Sequence, residues 1–214
     1  MKFKSNLKEL LIFELQSFIG RSFFNNKPKL FKDINYLNLG CGDNLLDDFI
    51  NADFFYKKWK KSNPVRQWML DLRYDLNCGD ETFDGIYTEH TLEHLTYDSV
   101  DKLLSELHRV LKKGAFIRIT VPDCDKYVKF YIAENKNINK GFDGAFNSKC
   151  RAISNLTQNH GHLSVWCFEE MSEALKKAGF KDVEEMSFQN TKDKMLNNDI
   201  EERAFETLYI EARK

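Results

Sequence analysis

Gly40-Cys41-Gly42 stands at the end of a short, mostly apolar run, Ile34 to Leu39. Two glycines one residue apart let backbone approach a ligand closely and tolerate positive φ. Other chemically capable residues recur where later runs stop: Asp53 after Phe49–Ala52, Asp71 after Trp68–Leu70, Glu89 and His90 after Phe83–Thr88, and Pro122-Asp123 after Ala115–Val121. A carboxylate at the end of a second strand accepts hydrogen bonds from both hydroxyls of a ribose. The dinucleotide fingerprint also wants a third glycine and an acid roughly 20 residues on. Here Leu45 takes the third position and Asp53 arrives too soon. No Gly-Lys-Ser/Thr follows, which excludes a Walker loop. The glycine pair therefore points to an adenosine-like ligand other than a nicotinamide cofactor or ATP.

Histidines supply a second kind of chemistry. His90-Thr91-Leu92-Glu93-His94 fits H-x-x-E-H, an inverted zinc-peptidase pattern in which both histidines share one helix face. His90 directly follows an apolar strand, so it belongs to a loop, which disfavours the peptidase reading; no metal site is expected. His160-Gly161-His162 lies in a long segment between Asp123 and Trp166 that is read as irregular and rich in aromatic residues. Imidazole titrates near neutral pH, so His162 or His160 would accept a proton from an acceptor hydroxyl. Asp123 would be the base instead, or orient that histidine.

The elements that must position these groups alternate strand and helix. Ser99 to Lys113 reads as a helix, with Val100, Leu103, Leu104, Leu107, Val110 and Leu111 as its buried face and Gly114 as C-cap. Phe168 to Lys177 is a further helix ending near Gly179. Val183–Phe188 and Phe205–Ala212 are late strands joined by a polar loop, with no helix between them, so an antiparallel pair is expected. The pattern predicts a mostly parallel sheet with helices on both faces and a ligand beyond the carboxyl ends of its strands. Before it, Ser5 to Phe24 forms an amphipathic helix, with Ser5 as N-cap and a stripe of Leu7, Leu10, Leu11, Leu15 and Phe18 beside Ile19 and Phe23. That stripe is expected to pack on the domain. A membrane-surface or homodimer helix is the alternative, since Lys2, Lys4, Lys8, Lys27 and Lys29 surround it.

Composition narrows the class. The 214 residues carry 32 Lys and Arg against 33 Asp and Glu, a net charge of −1, which disfavours electrostatic capture of nucleic acid. Glu9, Glu14 and Arg21 interrupt any apolar run long enough for a leader peptide or a membrane span. Five scattered cysteines with no C-x-x-C pair fit a reducing cytoplasm rather than a disulfide framework. A single domain is expected, residues 34–214, preceded by the helix and connector of residues 1–33 and carrying residues 124–167 as an insertion that forms an acceptor lid.

The string Leu37-Asn38-Leu39-Gly40-Cys41-Gly42 resembles motif I of class I S-adenosylmethionine-dependent methyltransferases. Ile50-Asn51-Ala52-Asp53, Asp71-Leu72, Phe83-Asp84-Gly85-Ile86-Tyr87, Glu89-His90-Thr91-Leu92-Glu93-His94-Leu95 and Leu107-His108-Arg109-Val110-Leu111-Lys112-Lys113-Gly114 follow in the family's order. Lys113 and Ala115 replace the proline and second glycine of that last turn. The resemblance implies a Rossmann-like, doubly wound, seven-stranded sheet with its last strand inserted antiparallel. It implies that Gly40, Cys41 and Gly42 line the methionine and ribose of S-adenosyl-L-methionine and that Asp53 holds the ribose hydroxyls. Asp71 would face the adenine amino group with Leu72 beside the ring, and Glu89 and His90 would sit near the sulfonium. Tyr87-Thr88-Glu89-His90 stands where amino-methyltransferases carry an Asn/Asp-Pro-Pro-aromatic tetrad, so a small-molecule or glycan hydroxyl is the expected acceptor, and a non-catalytic partner module is the rival. Few residues separate Gly42 from the second strand, so the usual first helix must be short or missing, and the amino-terminal helix is expected to cover the exposed sheet face.

Overall fold

The computed structural model describes residues 11–19, 21, 27–54, 67–133 and 140–214. Seven strands form one sheet: β1 (Tyr36–Leu39), β2 (Phe49–Asp53), β3 (Gln67–Met69), β4 (Phe83–Glu89), β5 (Leu111–Pro122), β6 (Lys181–Met186) and β7 (Thr207–Arg213). Their order is β3-β2-β1-β4-β5-β7-β6. The five strands from β3 to β5 run parallel, while β7 pairs antiparallel with both β5 and β6. The late antiparallel pair, the inserted last strand and the Rossmann-like class are as expected from the sequence.

Side chains alternate across the sheet with period two. One face is apolar: Leu37, Leu39, Ile50, Ile86, Ile117 and Ile210 are fully buried. Against it pack α2 (Tyr97–Val110), through Leu103, Leu104 and Leu107, and α6 (Phe168–Lys177), through Met171 and Leu175. Replacing one of these leucines by Ala removes about 2–5 kcal/mol of stability. Thr96 caps α2 through the Ser99 amide. The helix ends at Val110, not Lys113, because Leu111 already pairs with Phe83 as the first residue of β5. Gly114 (φ +78°) therefore lies inside β5, where its amide donates to the Lys214 carbonyl, and does not cap the helix.

The opposite face carries Asn38, Asn51, Tyr87, Arg118 and Glu211. Helices were expected there too, but among the described residues its cover is the segment 187–206. Beyond its short 3-10 turns Lys194–Leu196 and Glu201–Arg203, that segment has backbone groups to satisfy, and the sheet side chains do so. Tyr87 donates to the Asn198 carbonyl, Arg118 to those of Asn190 and Ser187, and Glu211 accepts from the Lys192 amide. Arg118 also pairs with Asp199 at 2.6 Å and Glu211 at 2.8 Å, all three side chains being buried.

Between β1 and β2 residues 40–48 form turns and no helix, as the short spacing required. A buried amide pair replaces the helix: Asn38 Nδ2 donates to Asn51 Oδ1 and to the Asn44 carbonyl, and Asn51 exchanges bonds with the Leu46 backbone in both directions.

The insertion is helical rather than irregular, with α3 (Cys124–Ile132), α4 (Lys140–Ala145) and α5 (Lys149–Thr157). Tyr127, Phe130, Phe142, Ala152 and Leu156 give it a core separate from that of the sheet. Residues 11–19 are helical, here termed α1. The expected N-cap Ser5 and the positions Leu7, Leu10 and Phe23 lie outside the described residues. Of the expected stripe, Leu11, Leu15 and Phe18 face outward, at 61%, 58% and 54% exposure. The side that meets the domain is mixed: Ser17 is buried, Glu14 pairs with Arg73, and Phe13 is half-buried. Its contacts are with residues just after β2 and β3, including the Phe13–Phe54 ring pair, rather than with a sheet face. No helix among the described residues is long and apolar enough to cross a membrane, and all five cysteines are free.

Candidate active site

The glycine loop is held from two sides. Gly40 and Cys41 donate their amides to the Ala52 carbonyl. Gly40 has φ +67°, and a Cβ there would stand 2.1 Å from Thr91 Oγ1, just past β4. Gly42 has φ +52° with open space where its Cβ would be, and its amide donates to Asp53 Oδ2 at 2.7 Å. Asp53 Oδ1 accepts the Phe54 amide. Each carboxylate oxygen has further lone pairs, so Asp53 closes the loop and still has acceptor capacity for a diol. Burial raises the Cys41 thiol far above its ordinary range, so this cysteine is no nucleophile.

Asp71 is engaged on both oxygens: Ser17 of α1 donates to Oδ2 at 2.5 Å, and Arg73 bonds to both. Burial pushes this carboxyl up, but the hydrogen bonds from Arg73 and Ser17 outweigh it and leave Asp71 below the ordinary carboxylate value. A cavity of about 720 Å³ opens beside it, lined by Ser17, Phe54, Trp68, Leu70, Asp71 and Tyr74 among others. Leu72, next to Asp71, packs against the main core.

Glu89 ends β4, where burial raises its carboxyl while Arg203, the Ile200 backbone and Asn44, all nearby, oppose the rise. It thus sits between the glycine loop and the segment that covers the polar face. Thr91 Oγ1 bonds to the Glu89 carbonyl at 3.0 Å and the Gly40 carbonyl at 3.3 Å, joining that loop to the turn after β4.

Beyond that turn lies a second cavity of about 490 Å³, with His90, Glu93, His94, His160 and His162 in its lining. His90 holds φ +45°, a left-handed conformation of the kind that concentrates at functional sites. Thr207 donates its hydroxyl to the Arg203 carbonyl, so its oxygen accepts from His90 Nε2 at 2.8 Å, which leaves Nδ1 with a lone pair. His162 Nδ1 lies 2.8 Å from the Leu156 carbonyl, which can only accept; the proton is on Nδ1, and Nε2 has the lone pair. Burial drives His90 down to about 3, with Arg203 and His162 adding to it. Burial and the neighbouring His162 and His160 also lower His94.

Glu93 lies beneath these rings at 2% exposure, and neither carboxyl oxygen has a hydrogen-bond partner. Burial raises it to about 8. A buried polar group left without a partner costs about 1–3 kcal/mol. The Glu93 carbonyl meanwhile accepts the Leu163 and Ser164 amides, which fastens the end of the insertion to the short 3-10 turn Leu92–His94.

The structure thus gathers His90, His160 and His162 at one cavity and the Gly40–Gly42 loop with Asp53 beside it. Asp123 stands apart: its Oδ1 accepts the Asp125 and Lys126 amides as N-cap of α3, and neither bond reaches a histidine. Sequence reasoning passed over Glu93, although it lies within the quoted string. It also missed Arg203 and Glu206, which line the same cavity from the far end of the chain and carry no local signal.

A family model described as "Methyltransferase domain" matches residues 13–185. Among solved structures, an S-adenosylmethionine-dependent methyltransferase from Archaeoglobus fulgidus is similar at 18% identity and TM-score 0.54, with 94% of each chain covered. A possible histamine N-methyltransferase from Thermotoga maritima is similar at 16% identity and TM-score 0.53, covering 86% of this chain and 84% of that one. Phosphoethanolamine N-methyltransferase 2 of Haemonchus contortus, in complex with S-adenosyl-L-methionine, is similar at 14% identity and TM-score 0.50, covering 94% of this chain and 51% of the other. No curated protein sequence matches significantly.

Proposed function

This chain belongs to the methyltransferase-domain family and is an S-adenosylmethionine-dependent methyltransferase, and we propose that its acceptor is a hydroxyl group of a small molecule or glycan. The cofactor supplies an electrophilic methyl group on a sulfonium; Gly40, Cys41, Gly42 and Asp53 would hold its ribose and methionine portion. Gly42, with open space at its Cβ position, and the spare acceptor capacity of Asp53 fit that group. Asp71 and Leu72 would face the adenine, and Glu89 and His90 the sulfonium.

Methyl transfer is an in-line displacement, so the protein's main task is alignment and exclusion of water, worth up to roughly 7–11 kcal/mol of barrier. A hydroxyl acceptor must also lose a proton. The observation that carries the reading is the 2.8 Å contact of His162 Nδ1 with the Leu156 carbonyl, which leaves the other ring nitrogen, Nε2, to act as acceptor. His162 would take the hydroxyl proton, with His160 and the lone pair of His90 as neighbouring acceptors. Asp123, as cap of α3, would act by placing the insertion that carries His160 and His162. The insertion closes over the carboxyl ends of β4 and β5 as a lid, and the absent proline tetrad disfavours exocyclic amines.

Product mass spectrometry on a panel of sugars, sugar nucleotides and small phenols, with matching amines, tests this. A gain of one methylene on hydroxyl compounds, reduced at least about 100-fold in kcat by His162→Ala with unchanged cofactor binding, is the expected result. Methylation confined to amines would overturn the hydroxyl reading.

A further inference from the structure

The orphaned carboxyl of Glu93 is faced by histidine ring nitrogens. His90 Nδ1 lies 3.6 Å and His94 Nε2 4.0 Å from Glu93 Oε1. These separations are too long for hydrogen bonds. They are near what two ligands of one cation keep, since atoms bonded at about 2.1 Å to a tetrahedral ion stand about 3.4 Å apart. His162 joins the group: one ligand atom each from Glu93, His94 and His162 lies within 4.8 Å of the other two.

The surroundings suit a cation as well. His162 offers Nε2 because Nδ1 is held by a backbone carbonyl, the usual support of a metal-bound imidazole. The backbone of His160 and Gly161 stands close to His94. Arg203 and Glu206 face the cavity from the segment before β7 with opposite charges.

We propose that Glu93, His94 and His162 form a binding site for one divalent cation of the zinc type, with a coordination position open to the cavity. Two imidazoles and a carboxylate favour a transition metal over magnesium or calcium, which take all-oxygen sets. The arrangement is not that of the H-x-x-E-H peptidases, whose histidines share a helix. Here Glu93 and His94 come from a 3-10 turn, and the third ligand comes from the far end of the insertion. The site goes beyond methyl transfer and does not depend on which acceptor is used. With the cation seated, an acceptor oxygen at the open position would have its developing charge stabilised there, and His162 would serve as ligand in place of base.

The test uses the untagged full-length chain, stripped with a chelator and titrated with Zn²⁺ by calorimetry and with Co²⁺ by visible absorption. One Zn²⁺ per chain and a d–d spectrum of low-symmetry N/O coordination are expected. Glu93→Gln and His94→Gln should each weaken binding at least tenfold, while His108→Ala, on α2, leaves it unchanged. His94 is largely exposed, so His94→Gln remains readable if Glu93→Gln fails to fold; urea midpoints report folding of each variant. No stoichiometric binding to the wild type, or binding that His94→Gln leaves intact, would overturn the site.

Discussion

At Gly40 a single methyl group would decide cofactor binding. Its φ of +67° and the Thr91 side chain, 2.1 Å from where a Cβ would stand, leave no room for Ala. Gly40→Ala is expected to cost about 1–3 kcal/mol in urea unfolding and to weaken S-adenosylmethionine binding at least tenfold by calorimetry. Gly144, in α4 with nothing within 4 Å of its Cβ position, gives the contrast: Gly144→Ala should be neutral or stabilise by up to about 1 kcal/mol. Asp53→Ala removes the carboxylate that holds the Gly42 amide, and an unchanged dissociation constant for S-adenosylmethionine would refute its ribose role. Both positions stand out in the sequence, Gly40 as one of ten glycines and Asp53 as an acid, each closing an apolar run, and each lies at a strand end in the structure. Glu93 was not legible there, although its string was: its isolation depends on Leu163 and Ser164 arriving from the insertion to cover it.

Among elements, the polar face of the sheet is the least expected. Arg118, Tyr87 and Glu211 sit on buried central strands, where an apolar residue would normally stand; they are polar because the segment 187–206 above them brings backbone groups in place of a helix's apolar stripe. Removing one partner of a buried ionic group strands the others. Arg118→Leu should therefore cost about 3–5 kcal/mol in urea unfolding, whereas Lys177→Ala, breaking an exposed pair with Asp101, should change little. The contact of α1 with the end of β3 has a pH signature. Asp71 titrates below its unfolded value, because the Arg73 and Ser17 bonds outweigh its burial. Its contribution is complete above the unfolded carboxylate pKa and is lost as pH falls through the lower folded one. Hydrogen exchange by mass spectrometry should show residues 11–21 protected near neutrality and released as pH drops below about 3.8. Asp71→Ala should show the release at every pH.

Over the whole molecule, the amino-terminal segment is attached beside Asp71 by polar contacts and the Phe13–Phe54 ring pair, and turns Leu11 and Leu15 outward. Deleting residues 1–24 is expected to lower Tm, since Arg73 and Asp71 lose the partners that Glu14 and Ser17 provide; an unchanged Tm would show that α1 contributes nothing to the fold. What the sequence by itself determined is the order of strands and helices, the antiparallel late pair, the missing first helix and the placement of Gly40, Gly42 and Asp53 at the ends of the first two strands. Each of these follows from local rules: hydrophobic period, chain length between strands and the backbone freedom of glycine. Only the tertiary structure decided the rest. It turned the α1 stripe outward, ordered the insertion into three helices, reserved Asp123 for a cap and put Glu93 among His90, His94 and His162. Those outcomes turn on which distant segments share a surface, and on whether a buried polar group finds a partner there, neither of which is encoded in residue spacing.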